Sequence, residues 1–179
     1  IGEVTEDNKI AFSQTAVMEV DELLPHTQRI TRDAGYKQLL EDLKNPDKTN
    51  WKLPNGMEDI LRPYQITGYR WLCSLAHYGM GGILADDMGL GKTLQAIGTV
   101  TIAQSYPCLV VCPAALKINW QREFKKFAGK QALILDDKNK NTWQRFIETK
   151  CCDIFITNYE SLKKFFVLDV KNDTRFTLK

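Results

Sequence analysis

The octet Asp86-Asp87-Met88-Gly89-Leu90-Gly91-Lys92-Thr93 constrains this chain more than any other feature. The apolar tetrad Gly82-Ile83-Leu84-Ala85 precedes it, and Thr93 to Ala103 continues it as a stretch rich in Leu, Ile, Val and Ala. The tetrad suits a short buried strand, and the later run is long enough for a helix. A strand, a glycine loop and a helix in that order belong with a parallel sheet, because a parallel neighbour is reached only through a crossover.

The same alternation continues downstream. Leu109 to Cys112 reads as a strand ended by Pro113, and Leu116, Trp120, Phe124 and Phe127 recur every three or four residues before Gly129, which predicts a helix. Ala132 to Leu135 is a further strand, Asp136 to Asn141 a loop, Thr142 to Thr149 a helix, Asp153 to Thr157 a strand, and Tyr159 to Phe166 a short helix. Upstream, Ile66, Tyr69, Trp71, Leu72 and Leu75 share helical spacing between Tyr64 and Tyr78, and Gly79, Gly81 and Gly82 end the run. The expected fold is α/β, a parallel sheet flanked by helices. Residues 1–54 are mostly polar and are expected to form an extension or linker with a short helix at Tyr36 to Leu43; residues 55–179 form the domain proper. Periodicity fades after Phe166, so the domain is expected to be incomplete at Lys179.

With 179 residues, 44% of them hydrophobic, the chain can bury one core. A net charge of +2 is too mild to argue for a nucleic-acid partner by itself. The five cysteines contain no C-x-x-C pair, and only His26 and His77 could join them, so neither a zinc site nor a disulfide framework is expected. Cys108 and Cys112 flank Leu-Val-Val and are expected in the core, in a reducing compartment. No apolar run approaches the roughly 20 residues that cross a bilayer, and the first ten residues are polar and acidic rather than signal-like. A soluble intracellular protein without a membrane partner is the expectation.

The octet has the chemistry of a phosphate cradle. Gly89 and Gly91 allow backbone N–H groups to close on phosphate oxygens at a helix N-terminus, whose dipole favours an anion. Lys92 would neutralise the β- and γ-phosphates, and the Thr93 hydroxyl would hold Mg2+, which makes these two the expected catalytic residues. Asp86 stands where the G-x-x-x-x-G-K-[ST] pattern has its first glycine, which points away from small GTPases. The plainer alternative is a glycine-rich turn with Lys92 solvating a helix end that electrostatics would rather see acidic.

Leu61-Arg62-Pro63-Tyr64-Gln65, Gly82 to Thr93, and Leu109-Val110-Val111-Cys112-Pro113 together resemble the Snf2 family of superfamily 2 helicase-like ATPases, over about Asp59 to Phe166. The resemblance implies the first part of a RecA-like lobe, with ATP as the nucleotide and Mg2+ as its metal. It makes Gln65 the residue that hydrogen-bonds the adenine edge, as an amide can by donating and accepting together. Arg62 would stack on the adenine or form a surface salt bridge. The nucleotide set is then Arg62, Gln65, Asp87, Met88, Gly89, Leu90, Gly91, Lys92 and Thr93. Pro113 to Phe127 and Ile156 to Leu162 are similar to the family's DNA-facing segments, so Pro113, Lys117 and Thr157 are the implied nucleic-acid contacts. Thr157 could equally cap the helix at Tyr159. Trp120, Phe124 and Phe127 lie at core spacing, and Lys125, Lys126 and Lys130 can simply solvate the outer face.

What the resemblance implies for the whole protein is a translocase on double-stranded DNA that uses ATP hydrolysis to remodel protein–DNA complexes, with RNA polymerase or another DNA-bound protein as its target. Such a motor would work in a bacterial nucleoid or in a nucleus. A helicase of another superfamily 2 branch and a nucleotide-gated interaction module without turnover are the alternatives. An Asp-Glu-x-His box and arginine fingers would lie beyond Lys179, so residues 1–179 alone are expected to bind ATP weakly and barely hydrolyse it.

Overall fold

The computed structural model of the chain describes residues 2–7, 9–24 and 31–165. In chain order its elements are β1 (Gly2–Val4), β2 (Ile10–Phe12), α1 (Val17–Leu23), α2 (Ala34–Lys44), α3 (Pro63–His77), α4 (Lys92–Ala103), β3 (Cys108–Val111), α5 (Lys117–Ala128), β4 (Ala132–Ile134), α6 (Trp143–Glu148), β5 (Ile154–Thr157) and α7 (Leu162–Phe165). The three strands of the main sheet run parallel in the order β3-β5-β4, with Cys108 and Ala132 flanking Ile154 on either side. All four residues of the central strand are buried. Its side chains alternate between faces, as a strand's must. Ile154 and Ile156 join Met57, Leu61, Leu94, Ile97, Cys112, Phe124 and Ala132 in one core cluster. Phe155 joins Leu135 and Trp143 in another, with its ring 5.6 Å from that of Trp143. Helices α4 and α5 therefore cover one face and α6 the other, the layered solution for a sheet apolar on both sides.

Helices form where apolar spacing predicts them. In α5 Phe124 is buried, and Trp120 and Phe127 pack partly buried against the same cluster. Leu116, the first residue of that stripe, is 46% exposed because it closes a 3-10 turn (Ala114–Leu116) ahead of the helix. The helix expected from Tyr159 is a 3-10 turn, Tyr159–Ser161, followed by α7; Phe166 and the stretch to Lys179 lie outside the described residues, as does His26. No helix among the described residues is long and apolar enough to cross a membrane.

Two expectations are corrected. The buried strand expected at Gly82 to Ala85 does not form; the backbone there is irregular, and Ile83 is 85% exposed. A strand exists only through its neighbours' hydrogen bonds, and none of the strands among the described residues pairs with this segment. The first 54 residues, conversely, hold more than one short helix. β1 and β2 form an antiparallel hairpin with Val4 opposite Ile10. α1 and α2 bury Val17, Leu39 and Leu40, with Tyr78 and Met80 beyond the end of α3 packed against them. Asp33 caps α2 by accepting the Tyr36 N–H at 2.7 Å. Asp21 accepts from Arg32 and Lys44, each at 2.8 Å. Hydrogen bonds from Lys44 and then Arg32 hold its carboxyl below the usual range. Just before α3, Trp51 donates its indole N–H to the buried Ser74 hydroxyl at 2.9 Å, and Tyr69 donates to the Lys52 carbonyl at 2.6 Å.

Candidate functional site

The octet leaves the irregular segment, turns through Met88 to Leu90 and enters α4 at Lys92. Gly89 and Gly91 have φ of +85° and +75°, values that an L side chain resists. At Gly91 there is a second reason for glycine: a Cβ would stand 2.2 Å from Gln65 Nε2. Lys92 folds back over the loop, its Nζ donating to the carbonyls of Asp86 at 2.6 Å and Asp87 at 2.8 Å. Among the described residues it makes no ion pair. Thr93 sits half-buried beside it in the first turn of α4, and Met88 is 96% exposed at the loop's tip.

The start of α3 holds the loop from the other side. Gln65 is buried; its Oε1 accepts the Arg62 N–H at 2.8 Å and its Nε2 donates to the Leu90 carbonyl at 2.9 Å. One bond thus closes the helix terminus and the other ties it to the loop. Each polar atom of the amide keeps one further bonding direction. Arg62 is exposed at the same corner.

Three residues of this corner were not singled out from sequence as site residues. The Tyr64 hydroxyl donates to the same Leu90 carbonyl at 3.3 Å. Gln95, wholly buried in α4, donates its amide N–H to Asp86 Oδ2 at 3.1 Å. Asp86 itself, noted only as a departure from the glycine pattern, thus gives its carbonyl to Lys92 and its carboxylate to Gln95. The one signal available was spacing: Gln95 lies three residues past Lys92, on the same side of a helix.

The implied nucleic-acid residues gather at the C-terminal end of β3 and β5. Parallel pairing sets Val111 beside Thr157, and Cys112 N–H donates to the Thr157 carbonyl at 3.1 Å, which brings Pro113 and Asn158 to one edge. Pro113 is exposed. Lys117, opening α5, donates to Asn158 Oδ1 at 3.1 Å, and Asn158 Nδ2 donates to Glu160 Oε2 at 2.5 Å. The Asn158 hydrogen bond, and then its own backbone, hold the Glu160 carboxyl below the usual range. Thr157 is wholly buried, and its hydroxyl has no hydrogen-bond partner among the described residues. The cap residue before Tyr159 is Asn158, without a side-chain capping bond. At this edge Pro113 to Leu116 are exposed, Lys117 is half-buried against Asn158, and Thr157 is buried.

A family model described as the SNF2-related domain matches residues 64–176. Helicase SWR1 of Debaryomyces hansenii is 37% identical over 139 residues, covering 71% of this chain and 8% of that protein. The nuclear protein STH1/NPS1 of Saccharomyces cerevisiae is 30% identical over 170 residues, covering 90% of this chain and 12% of that protein. An uncharacterized ATP-dependent helicase of Mycoplasma genitalium, MG018, is 28% identical over 165 residues, covering 88% of this chain and 16% of that protein. The chain therefore spans a small fraction, 8 to 16%, of the length of these curated relatives. The family match spans the loop, both helices that hold it and the whole parallel sheet, and the chain belongs to the Snf2 family of helicase-like ATPases.

Proposed function

We propose that the chain supplies the ATP-binding part of a motor that hydrolyses ATP to move along double-stranded DNA and remodel protein–DNA complexes. The observation that carries this reading is Lys92. It opens a twelve-residue helix behind a loop with two left-handed glycines, and among the described residues its ammonium bonds only the loop carbonyls of Asp86 and Asp87. That donor set fits a polyphosphate: phosphate oxygens compete well with two neutral carbonyls for an ammonium.

In this reading Lys92 would turn from the loop carbonyls to the β- and γ-phosphates, and Thr93 Oγ1 would help to hold the metal. Mg2+ would supply charge neutralisation between those phosphates. Gly89 to Gly91 let the backbone approach, with Asp87, Met88 and Leu90 forming the rest of the loop. Gln65 keeps its hold on Leu90 and uses its remaining donor and acceptor directions for the adenine edge, with Arg62 beside it. Pro113 and Lys117 offer backbone amides and a cation to DNA phosphates, and Thr157 shapes the strand end below them. Relatives named helicase SWR1 and chromatin-remodeling ATPase INO80 support the remodelling assignment.

The test is ATP turnover by the full gene product with duplex DNA, with single-stranded DNA and with neither. Duplex stimulation is expected, and Lys92→Ala should lower the stimulated rate by ~100-fold or more, since it removes a charge aimed at the reacting phosphates. Stimulation by single strands alone would replace the translocase with a strand-separating helicase. Absence of turnover with every nucleic acid would leave a nucleotide-gated interaction module.

A further inference from the structure

Asp86 poses an electrostatic problem that the phosphate loop must solve. A carboxylate six residues before Lys92, in a loop that doubles back on itself, could pair with the ammonium and cancel the charge a phosphate needs. The structure shows the two kept apart. Lys92 takes the Asp86 carbonyl, at 2.6 Å, while the Asp86 carboxylate is turned to the Gln95 amide, 3.1 Å from Nε2. Gln95 is wholly buried and its Oε1 has no partner among the described residues, so the protein keeps an under-satisfied polar side chain inside for this single bond. The neighbouring helix makes room for it: a Cβ at Gly68 of α3 would come within 2.2 Å of Gln95 Oε1.

We infer that Gln95 is a positioning residue of the nucleotide site: by binding the Asp86 carboxylate it holds that charge off Lys92 and leaves the ammonium free for phosphate. The inference rests on the nucleotide reading above and adds the means by which the loop tolerates an acid in a glycine position. Lys92 and Gln95, one helical step apart, grip the same residue by its two different oxygens. The carbonyl is a neutral partner that Lys92 can leave, whereas the carboxylate would be a charged one that it could not leave cheaply.

Titration of Mg-ATP into the full gene product by calorimetry, with thermal unfolding of every variant, tests this. Wild type should bind and Lys92→Ala should not; absence of wild-type binding overturns the nucleotide reading and this inference together. Gln95→Met, close in length and lacking the amide, should bind Mg-ATP about tenfold more weakly, because the released carboxylate now pairs with Lys92. Adding Asp86→Ala to that variant should return the affinity to within about threefold of wild type, because the competing charge is gone. A merely structural glutamine predicts no such rescue. Wild-type binding with no loss in Gln95→Met, or a loss that Asp86→Ala leaves in place, overturns the inference alone. Should Gln95→Met not fold, Gly68→Ala carries the test: its methyl displaces the Gln95 amide from Asp86 without removing it, and the same loss and rescue are expected. Unchanged affinity in folded Gly68→Ala, or loss without rescue, overturns it equally.

Discussion

The central strand β5 and the segment from Gly82 to Ala85 are each four residues long, and both are mostly apolar. β5 has a strand hydrogen-bonded along each edge and is buried throughout. Gly82 to Ala85 pairs with none of the strands among the described residues, and Ile83 stands 85% exposed. The second segment lies against α3, with Gly82 close to Trp71 and Leu75 and Leu84 close to Gly68, and it is anchored at its two ends. Met80 is packed against the cluster of Val17, Leu39 and Leu40, and Asp86 is gripped by Lys92 and Gln95. Apolar composition permits a strand, and neighbours on the hydrogen-bonding edges make one. The glycine loop accordingly takes its shape from α3 and α4, through Gln65 and Gln95, and not from a strand behind it.

The sharpest way to break this comparison is to remove one large side chain from each segment. Phe155→Ala empties a site walled by Leu135 and Trp143 and should cost about 3–5 kcal/mol. Ile83→Ala should change stability by no more than about 0.5 kcal/mol, because little burial is lost. Urea unfolding measures both. Similar costs would mean that the 82–85 segment is buried in solution and the contrast is false.

A smaller effect separates the loop from the sheet. Gly91→Ala must accept φ near +75° and drive its methyl toward Gln65 Nε2. A cost of roughly 1–2 kcal/mol follows from the left-handed backbone, together with loss of the Gln65 bond to Leu90 and of Mg-ATP binding. Hydrogen exchange at the β5 amides should stay as slow as in wild type once the drop in global stability is allowed for. Selective quickening within the sheet would show that the loop and the strands form one cooperative unit.

These contrasts also show how much could be read from residues alone. The stripe through Trp120, Phe124 and Phe127 gave α5, and the short apolar runs gave the three parallel strands, because periodicity is local. The glycine turn running into α4 was legible from the order of its residues. The fate of Gly82 to Ala85 was not, since whether a strand has partners is decided elsewhere in the chain. Nor was the pairing of Gln95 with Asp86, where an amide and a carboxylate nine residues apart meet only because the loop doubles back onto its own helix. Thr157 carries the same lesson: the resemblance placed it at a DNA-facing strand end, and burial between parallel neighbours puts its side chain inside. The hairpin β1–β2 and helix α1 escaped because three-residue strands and a single short stripe are too brief for any period to register.

The smallest expected effect lies at the upstream anchor of the 82–85 segment. Tyr78, in the cluster that holds Met80, donates its hydroxyl to Asp42 Oδ2 at 2.6 Å. Burial, with the hydrogen bond to Asp42 adding to it, pushes the phenol from 10.0 to about 12. The folded value lies above the unfolded one, so the fold favours the neutral phenol. Its contribution is whole below the unfolded value and is lost as pH climbs through about 12. Tyr36 and Tyr69 are also pushed up by burial, so phenolate absorbance should show one fewer late-titrating tyrosine in Tyr78→Phe than in wild type, and the variant's stability should fall less steeply over that alkaline window. If the upstream anchor helps to hold the segment, the same substitution should quicken amide exchange at Gly81 to Ala85 slightly and leave β5 unchanged. An equal response in both would mean that the anchor serves the whole domain and not this segment.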